Sequence, residues 1–311
     1  LIKSIKDNSG IKFIEHDKLL TSQALLSQPS PPSYGLSRIS SRSLSRSRSS
    51  SPYIYDSHQG QNIDIYILDS GVNEQHRDFG GRAKLVANFV SNESEEDLFG
   101  HGTHVSGIIG GKDYGVAKKS NLYGIKILNK RGEGSVSQAL YALAFIIKRV
   151  EKNPRRSIIN LSLAGDFSEA LNQAVDIAYK QLNIAVIVAA GNQNKNACLT
   201  SPGSAKGVVA VGNSDDNDRI SRTSNYGPCI TLFAPGSKIR SASNTDNFGS
   251  KILSGTSMAA PHIAGIAALF WSMKPQLNVE QLYTLIQNQA TKNVLYNVPM
   301  DTPNLLAYNQ F

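Results

Sequence analysis

Long apolar stretches are missing from this chain: no run approaches the ~18 consecutive residues a membrane helix needs, so no helical membrane span and no membrane partner are expected. Cysteine is almost absent. The only two, Cys198 and Cys229, have neither Cys-x-x-Cys nor zinc spacing, which excludes a thiolate metal centre and a cysteine-rich scaffold. They can form one structural disulfide in an oxidising compartment or remain two buried free thiols. The start at Leu1 has no basic stretch followed by an apolar core and cleavage site, so the expected chain is a processed or truncated product that has already lost any signal peptide.

With 40% hydrophobic and 18% charged residues the composition is that of a soluble globular protein. A length of 311 residues allows one large domain or two small ones, and one domain behind a short leading segment is expected. Arg38, Arg42, Arg46 and Arg48 supply four of the net +8 charges from one Arg/Ser-rich run, residues 37–51. No aromatic residues are interleaved there to stack on bases, so a nucleic-acid partner is set aside. The run reads as a solvated loop, open to cleavage or phosphorylation.

Residues 62–70 are rich in β-branched and aromatic side chains and end in Asp69-Ser70-Gly71, which predicts a buried strand running into a turn. Similar apolar runs at 84–90, 121–128, 156–163, 183–190 and 208–213 have the pattern of parallel strands covered on both faces. Helical spacing appears at 102–110, 135–150, 168–181, 258–273 and 279–290, with Pro261 in the first turn of its helix. Strands alternating with helices imply an α/β, doubly wound, mostly parallel sheet with helices on both faces. On such sheets ligands bind beyond the carboxyl ends of the strands, so polar residues at those ends are the ones to weigh.

Taken singly, the candidates decide little. Asp69-Ser70-Gly71 is an ordinary strand-to-turn junction. In His101-Gly102-Thr103-His104 a histidine opens a helix among glycines that allow close approach by a substrate. The rival reading is metal binding, because His101 and His104 share one helix face, but no third ligand lies nearby in sequence. Ser257, in Gly255-Thr256-Ser257-Met258-Ala259-Ala260-Pro261-His262, opens the most apolar helix, where a serine is commonly a cap. The same helix start offers N–H groups and positive partial charge to a developing oxyanion. Ala189-Ala190-Gly191-Asn192 ends a strand on an amide that would ordinarily be a turn residue.

Together, in the order Asp, His, Ser, these segments resemble the triad of subtilisin-like serine proteases. The match extends from about residue 34 to the C-terminus and includes Tyr114-Gly115-Val116-Ala117-Lys118, Leu161-Ser162-Leu163, Ser224-Asn225-Tyr226-Gly227 and Asn304-Leu305-Leu306-Ala307-Tyr308-Asn309. It is most similar to the proteinase K branch. The resemblance implies a serine endopeptidase with Asp69, His101 and Ser257 as its triad, Asn192 as side-chain oxyanion donor, and protein or peptide substrates. It also implies that Gly132-Glu133-Gly134 and Ser162-Leu163-Ala164-Gly165 pair with substrate backbone. The S1 pocket would be walled by Ala164, Gly165, Ala189, Ala190 and Gly191. These are small and uncharged, so broad specificity with apolar or aromatic P1 residues is expected, unlike the dibasic preference of the kexin branch. Glu133 is expected to add a taste for a basic residue at P4. A catalytically silent binding module using the same cleft is the rival, and the intact Asp69, His101, Asn192 and Ser257 argue against it.

Where the branch often holds calcium through a carboxylate, this chain has the neutral Thr231 before Leu232-Phe233-Ala234-Pro235-Gly236. No cofactor is expected, and that calcium site reads as lost, with other calcium sites left open. Cys198 and Cys229 resemble a disulfide of some relatives. Residues 11–17 resemble the end of an inhibitory propeptide. Residues 1–24 are therefore expected to be its remnant, with a boundary between 20 and 31, and residues 25–311 the peptidase domain. The expected protein is a monomer, inhibited by its own propeptide and either secreted or held in a secretory-pathway compartment.

Overall fold

The computed structural model describes residues 24–44 and 51–311. The expectations for residues 11–17, and for Arg46 and Arg48, lie outside the described residues. Strand β1 (Leu25–Gln28), helix α1 (Tyr34–Ile39) and β2 (Tyr53–Asp56) lead into β3 (Asp64–Asp69). Next come β4 (Ala83–Asn88), α2 (His101–Gly110), β5 (Asn121–Lys126), α3 (Val136–Lys152), β6 (Ser157–Leu161), β7 (Gly165–Asp166), α4 (Glu169–Leu182) and β8 (Ala185–Ala189). The remainder holds β9 (Thr200–Ser201), β10 (Val208–Ser214), β11 (Leu232–Pro235), β12 (Ile239–Ala242), β13 (Ser250–Leu253), α5 (Thr256–Met273), α6 (Val279–Gln289), β14 (Thr291–Lys292) and β15 (Leu305–Leu306).

Nine strands form the main sheet in the order β14-β15-β11-β10-β8-β6-β3-β5-β4. All neighbours are parallel except β14, which pairs antiparallel with β15. Side chains alternate between the two faces of each strand. In β3, Ile65 and Ile67 join the core under α2 and α5, whereas Tyr66 and Leu68 join the one under α3 and α4. The chain begins this sheet at β3 and winds first toward β4 and β5, then back toward β6, β8 and β10. That reversal opens a crevice at the carboxyl end of β3, where a doubly wound sheet binds its ligand.

Helix α5 is buried almost end to end, with Ile263, Leu269, Phe270 and Trp271 all at 0% exposure. It starts at Thr256, so Pro261 sits in its second turn and not in the first, as the sequence suggests. A proline there has no N–H for the carbonyl four residues back, that of Ser257. This carbonyl accepts instead from the Ser162 hydroxyl at 2.9 Å.

Cys198 and Cys229 are joined, with Cα atoms 5.3 Å apart across a sequence separation of 31. Closing a loop of that length stabilises the fold by roughly 3–4 kcal/mol on the chain-entropy view. The Arg/Ser-rich run is not a free solvated loop at its start. Residues up to Ile39 finish α1, and the Arg38 guanidinium is buried against Asp218, with Nε–Oδ1 2.7 Å and Nη2–Oδ2 2.9 Å. A two-pronged, buried guanidinium–carboxylate pair satisfies both charges, which is why an arginine in a serine-rich run can be interior. Arg42 lies over the Tyr308 ring, 4.0 Å from its centroid.

Candidate active site

Asp69 ends β3 at the crevice and is fully buried. Both its oxygens lie 2.8 Å from His101 Nδ1. A carboxylate only accepts, so the Nδ1 proton is fixed and Nε2 is left as the basic nitrogen. His101 is the first residue of α2, and its approach to Asp69 depends on Gly102. A Cβ on Gly102 would come within 2.1 Å of the Gly71 carbonyl oxygen. The glycine is thus required by the Asp69-Ser70-Gly71 turn packed against it.

The start of α2 is organised by Asp97, a residue sequence reasoning missed. Its Oδ1 accepts from Ser70 Oγ and from the Gly100 N–H, both at 2.7 Å, and its Oδ2 from the Thr103 N–H at 2.8 Å and Thr103 Oγ1 at 2.6 Å. A carboxylate here satisfies amides that the first helical turn leaves without acceptors and complements the helix dipole. Ser70 also accepts from the Gly102 N–H at 3.0 Å, tying the strand end to the helix. Burial disfavours protonated His101, but the Asp69 charge and hydrogen bond, helped by Asp97, outweigh it, and the pKa is raised above the ordinary imidazole value.

His104, the other half of the metal reading, donates Nε2–H toward the carbonyls of Ile239 and Lys251, each at 3.1 Å, so it clamps the β12–β13 hairpin to α2. Burial, helped by the nearby His101, pushes its pKa down to about 3.

Ser257 is the second residue of α5 and half-buried in the cleft. Its hydroxyl donates to the Ser162 carbonyl at 2.8 Å, and the Ser162 hydroxyl returns a bond to the Ser257 carbonyl. In this arrangement the Ser257 hydroxyl is held by Ser162, and among the described residues it makes no hydrogen bond to His101. Catalytic hydrogen bonds commonly tighten only once substrate is bound. Asn192 lies just beyond β8, with Oδ1 accepting from the Thr256 N–H at 2.9 Å and Thr256 Oγ1 at 3.2 Å. Fixing the oxygen in this way leaves the Nδ2 donors for the cleft, beside the first-turn N–H of Ser257.

His101, Ser257 and Asn192 all line one cleft of about 1100 Å³, together with Gly132, Glu133, Gly134, Ser162, Leu163, Ala164 and Gly165. Ala189 and Ala190 are buried at the strand end behind it, as is Gly191, whose φ of +104° turns the chain toward Asn192. Asp166 and Phe167 also line the cleft and were not expected. The Glu133 carboxylate is engaged by Arg131 (Nε 2.8 Å, Nη2 2.7 Å) and by Asn129 Nδ2 at 3.3 Å. Both side chains are largely exposed, so this pair only partly offsets the Glu133 charge.

At the position where the sequence raises a calcium site, the Thr231 Oγ1 accepts from the Ala210 N–H at 3.1 Å. Among the described residues no group of three or more His, Cys, Asp or Glu is arranged to hold a metal ion.

A buried carboxylate holding an imidazole, with a serine hydroxyl and an amide sharing the crevice of a doubly wound sheet, provides what a serine hydrolase requires. Comparison narrows that class. The sequence model of the Subtilase family matches residues 60–303. A cuticle-degrading protease of Metarhizium anisopliae is 40% identical over 99% of this chain and 78% of its own. An alkaline serine protease, ver112, of Corniculantispora psalliotae is 39% identical over 99% and 78%. A crystal structure of a cold adapted subtilisin-like serine proteinase superposes with a TM-score of 0.82 at 40% identity, covering 89% of this chain and 98% of that one. This chain belongs to the subtilase family and is a subtilisin-like serine endopeptidase.

Proposed function

We propose that the protein hydrolyses peptide bonds through an acyl-enzyme, with Ser257 as nucleophile, His101 as general base and then general acid, and Asp69 as the group that orients and charge-balances His101. The observation that carries this reading is the two-pronged contact of Asp69 with His101 Nδ1 at 2.8 Å, which leaves Nε2 facing the cleft shared with Ser257. Nε2 takes the hydroxyl proton as Oγ attacks the carbonyl carbon. The resulting oxyanion is held by Asn192 Nδ2 and the Ser257 N–H. The proton passes to the leaving amine as the C–N bond breaks, and water then repeats the sequence to release the acid.

Residues 132–134 and 162–165 bind the acyl side of an extended substrate as edge strands, an attachment that demands little of its sequence. Leu163, Ala164 and Gly165, with Phe167 nearby, favour an apolar or aromatic P1. Asp166 at the same rim supports a second reading, tolerance of a basic P1. Residues 1–24 act as the remnant of an inhibitory propeptide, and 25–311 form the peptidase domain. Pairing of Leu25–Gln28 with Tyr53–Asp56 supports a boundary before Leu25, because a later cut would strip a bonded strand. A disulfide supports residence in a secreted or secretory-pathway compartment. No helix among the described residues is long and apolar enough to cross a membrane. We expect a monomer with no nucleic-acid partner.

Digestion of a peptide library after removal of the N-terminal segment tests this reading. Expected are cuts after apolar and aromatic residues that vanish in Ser257→Ala. Cuts persisting in that variant would refute the mechanism, and cuts confined to sites after basic residues would refute the apolar P1 preference.

A further inference from the structure

The cleft contains one cation that the mechanism does not use. Lys251 lies on β13, six residues before Ser257, and lines the cleft beside His101. Its Nζ lies over Gly100, so close that a Cβ on that glycine would meet it at 2.5 Å. Gly100 has φ +82° and no side chain, and that space is what admits the lysine. The backbone of Lys251 is held by the bond from His104 Nε2 to its carbonyl. The strand position is therefore set by α2 itself.

The ammonium has no hydrogen bond or ion pair among the described residues. The two nearby carboxylates are committed elsewhere: Asp69 is fully buried on His101, and Asp97 is buried with four donors. Lys251 itself is half-buried. Its ammonium is the charge that reaches the cleft at this point.

The acyl side of the substrate occupies the channel between residues 132–134 and 162–165. Phe99 belongs to that side, since a Cβ on Gly132 would touch its ring at 2.6 Å. Lys251 belongs to neither of these segments but comes from the β12–β13 hairpin, on the strand that leads to Ser257. His101 must face the departing amine, so residues just after the cut bond leave past Lys251.

We propose that Lys251 is a specificity-determining residue of the leaving-group side, where its ammonium selects substrates with a carboxylate side chain in the first two residues after the cut bond. This assignment rests on the protease reading above. A competing field lies beyond Asn244, where a groove is lined by Glu74, Glu95, Glu96 and Asp246, so only the positions next to the cut bond are expected to prefer an acid.

Internally quenched peptides differing only in Glu, Gln or Lys at those two positions test it, by kcat/KM in wild type, Lys251→Gln and Lys251→Glu. Wild type should prefer Glu over Gln by about fivefold, the scale of a partly exposed charge pair, and the ratio should shrink at high salt. Lys251→Gln should bring the ratio to about one, and Lys251→Glu should invert it. In Lys251→Gln the acid limb of kcat/KM should also move to higher pH, because a positive charge beside His101 has gone. A Glu/Gln ratio unchanged by either substitution, or a wild-type preference for Lys imposed by the acidic groove, would overturn the proposal. Ratios taken within one variant cancel differences in folded fraction. Active-site titration with a fluorophosphonate separates the two claims: if wild type takes no label the protease reading itself falls, whereas full labelling with flat ratios rejects Lys251 alone.

Discussion

Replacing Asp97 by alanine should loosen the turn that carries His101, although Asp97 touches no substrate. The carboxylate serves four donors: two amides, of Gly100 and Thr103, and two hydroxyls, of Ser70 and Thr103. The hydroxyls can rotate toward other acceptors, but the amides are fixed by the helix start. A buried donor left unsatisfied costs roughly 1–3 kcal/mol, so the two amides together put the loss at about 4 kcal/mol. For a domain of this size, that corresponds to a fall in Tm on the order of 10 °C. Thermal unfolding is best compared in a Ser257→Ala background, where self-digestion does not shift the transition. In the active protein kcat should fall roughly 10²-fold, as expected when a reacting group is misplaced by about 1 Å. Asp97→Asn should fare nearly as badly, because one amide nitrogen would face N–H donors. A Tm within 2 °C of the parent, together with an unchanged kcat, would refute the idea that this carboxylate builds the His101 turn.

Asn192→Ala should lower kcat by roughly 10²–10³-fold with KM nearly unchanged, because the lost donor serves the oxyanion and not the ground-state carbonyl; a loss confined to KM would contradict that role. The acid limb of kcat/KM should lie above the ordinary imidazole value of ~6.5, since Asp69 favours the protonated ring and only neutral His101 can act as base. A midpoint below 6 would refute this. Stability should respond in the opposite pH range. His104 and His262 are buried with pKa values of about 3 and about 4, so as pH falls below ~6.5 the unfolded chain binds protons that the fold refuses. Each such histidine removes up to ~1.4 kcal/mol per pH unit. The raised pKa of His101 acts the other way: its contribution is complete below ~6.5 and fades as pH rises through the folded value. Urea unfolding of Ser257→Ala at pH 6.5 and 4.5 should therefore show a loss of several kcal/mol, and a flat profile would contradict the burial of neutral His104 and His262.

Much of this was legible in the sequence because the relevant signals are local. The apolar runs of β3, β5, β6, β8 and β10 announce strands buried on both faces, and the residues that follow them land at the crevice. Asp69, His101, Asn192 and Ser257 each sit at an element's end, where pattern and motif coincide. What stayed hidden depends on distant partners. Asp97 is one acid among several in a polar stretch, and nothing near it in sequence shows that four donors converge on its oxygens. Arg38 reads as solvated among serines because its partner, Asp218, is 180 residues away. Glu133 reads as a free charge until Arg131 is seen folded onto it. Pro261 reads as a first-turn residue because Thr256 reads as part of a turn, whereas the Thr256 N–H is capped by Asn192 and the helix begins there.

The convergence of residues 69, 101 and 257 is tested most directly by covalent labelling with a fluorophosphonate, located by peptide mass spectrometry. One adduct should form on Ser257 in the wild type, slow sharply in His101→Ala, and be absent from Ser257→Ala. An adduct on another residue, or equal labelling rates in wild type and His101→Ala, would show that the imidazole does not activate this hydroxyl.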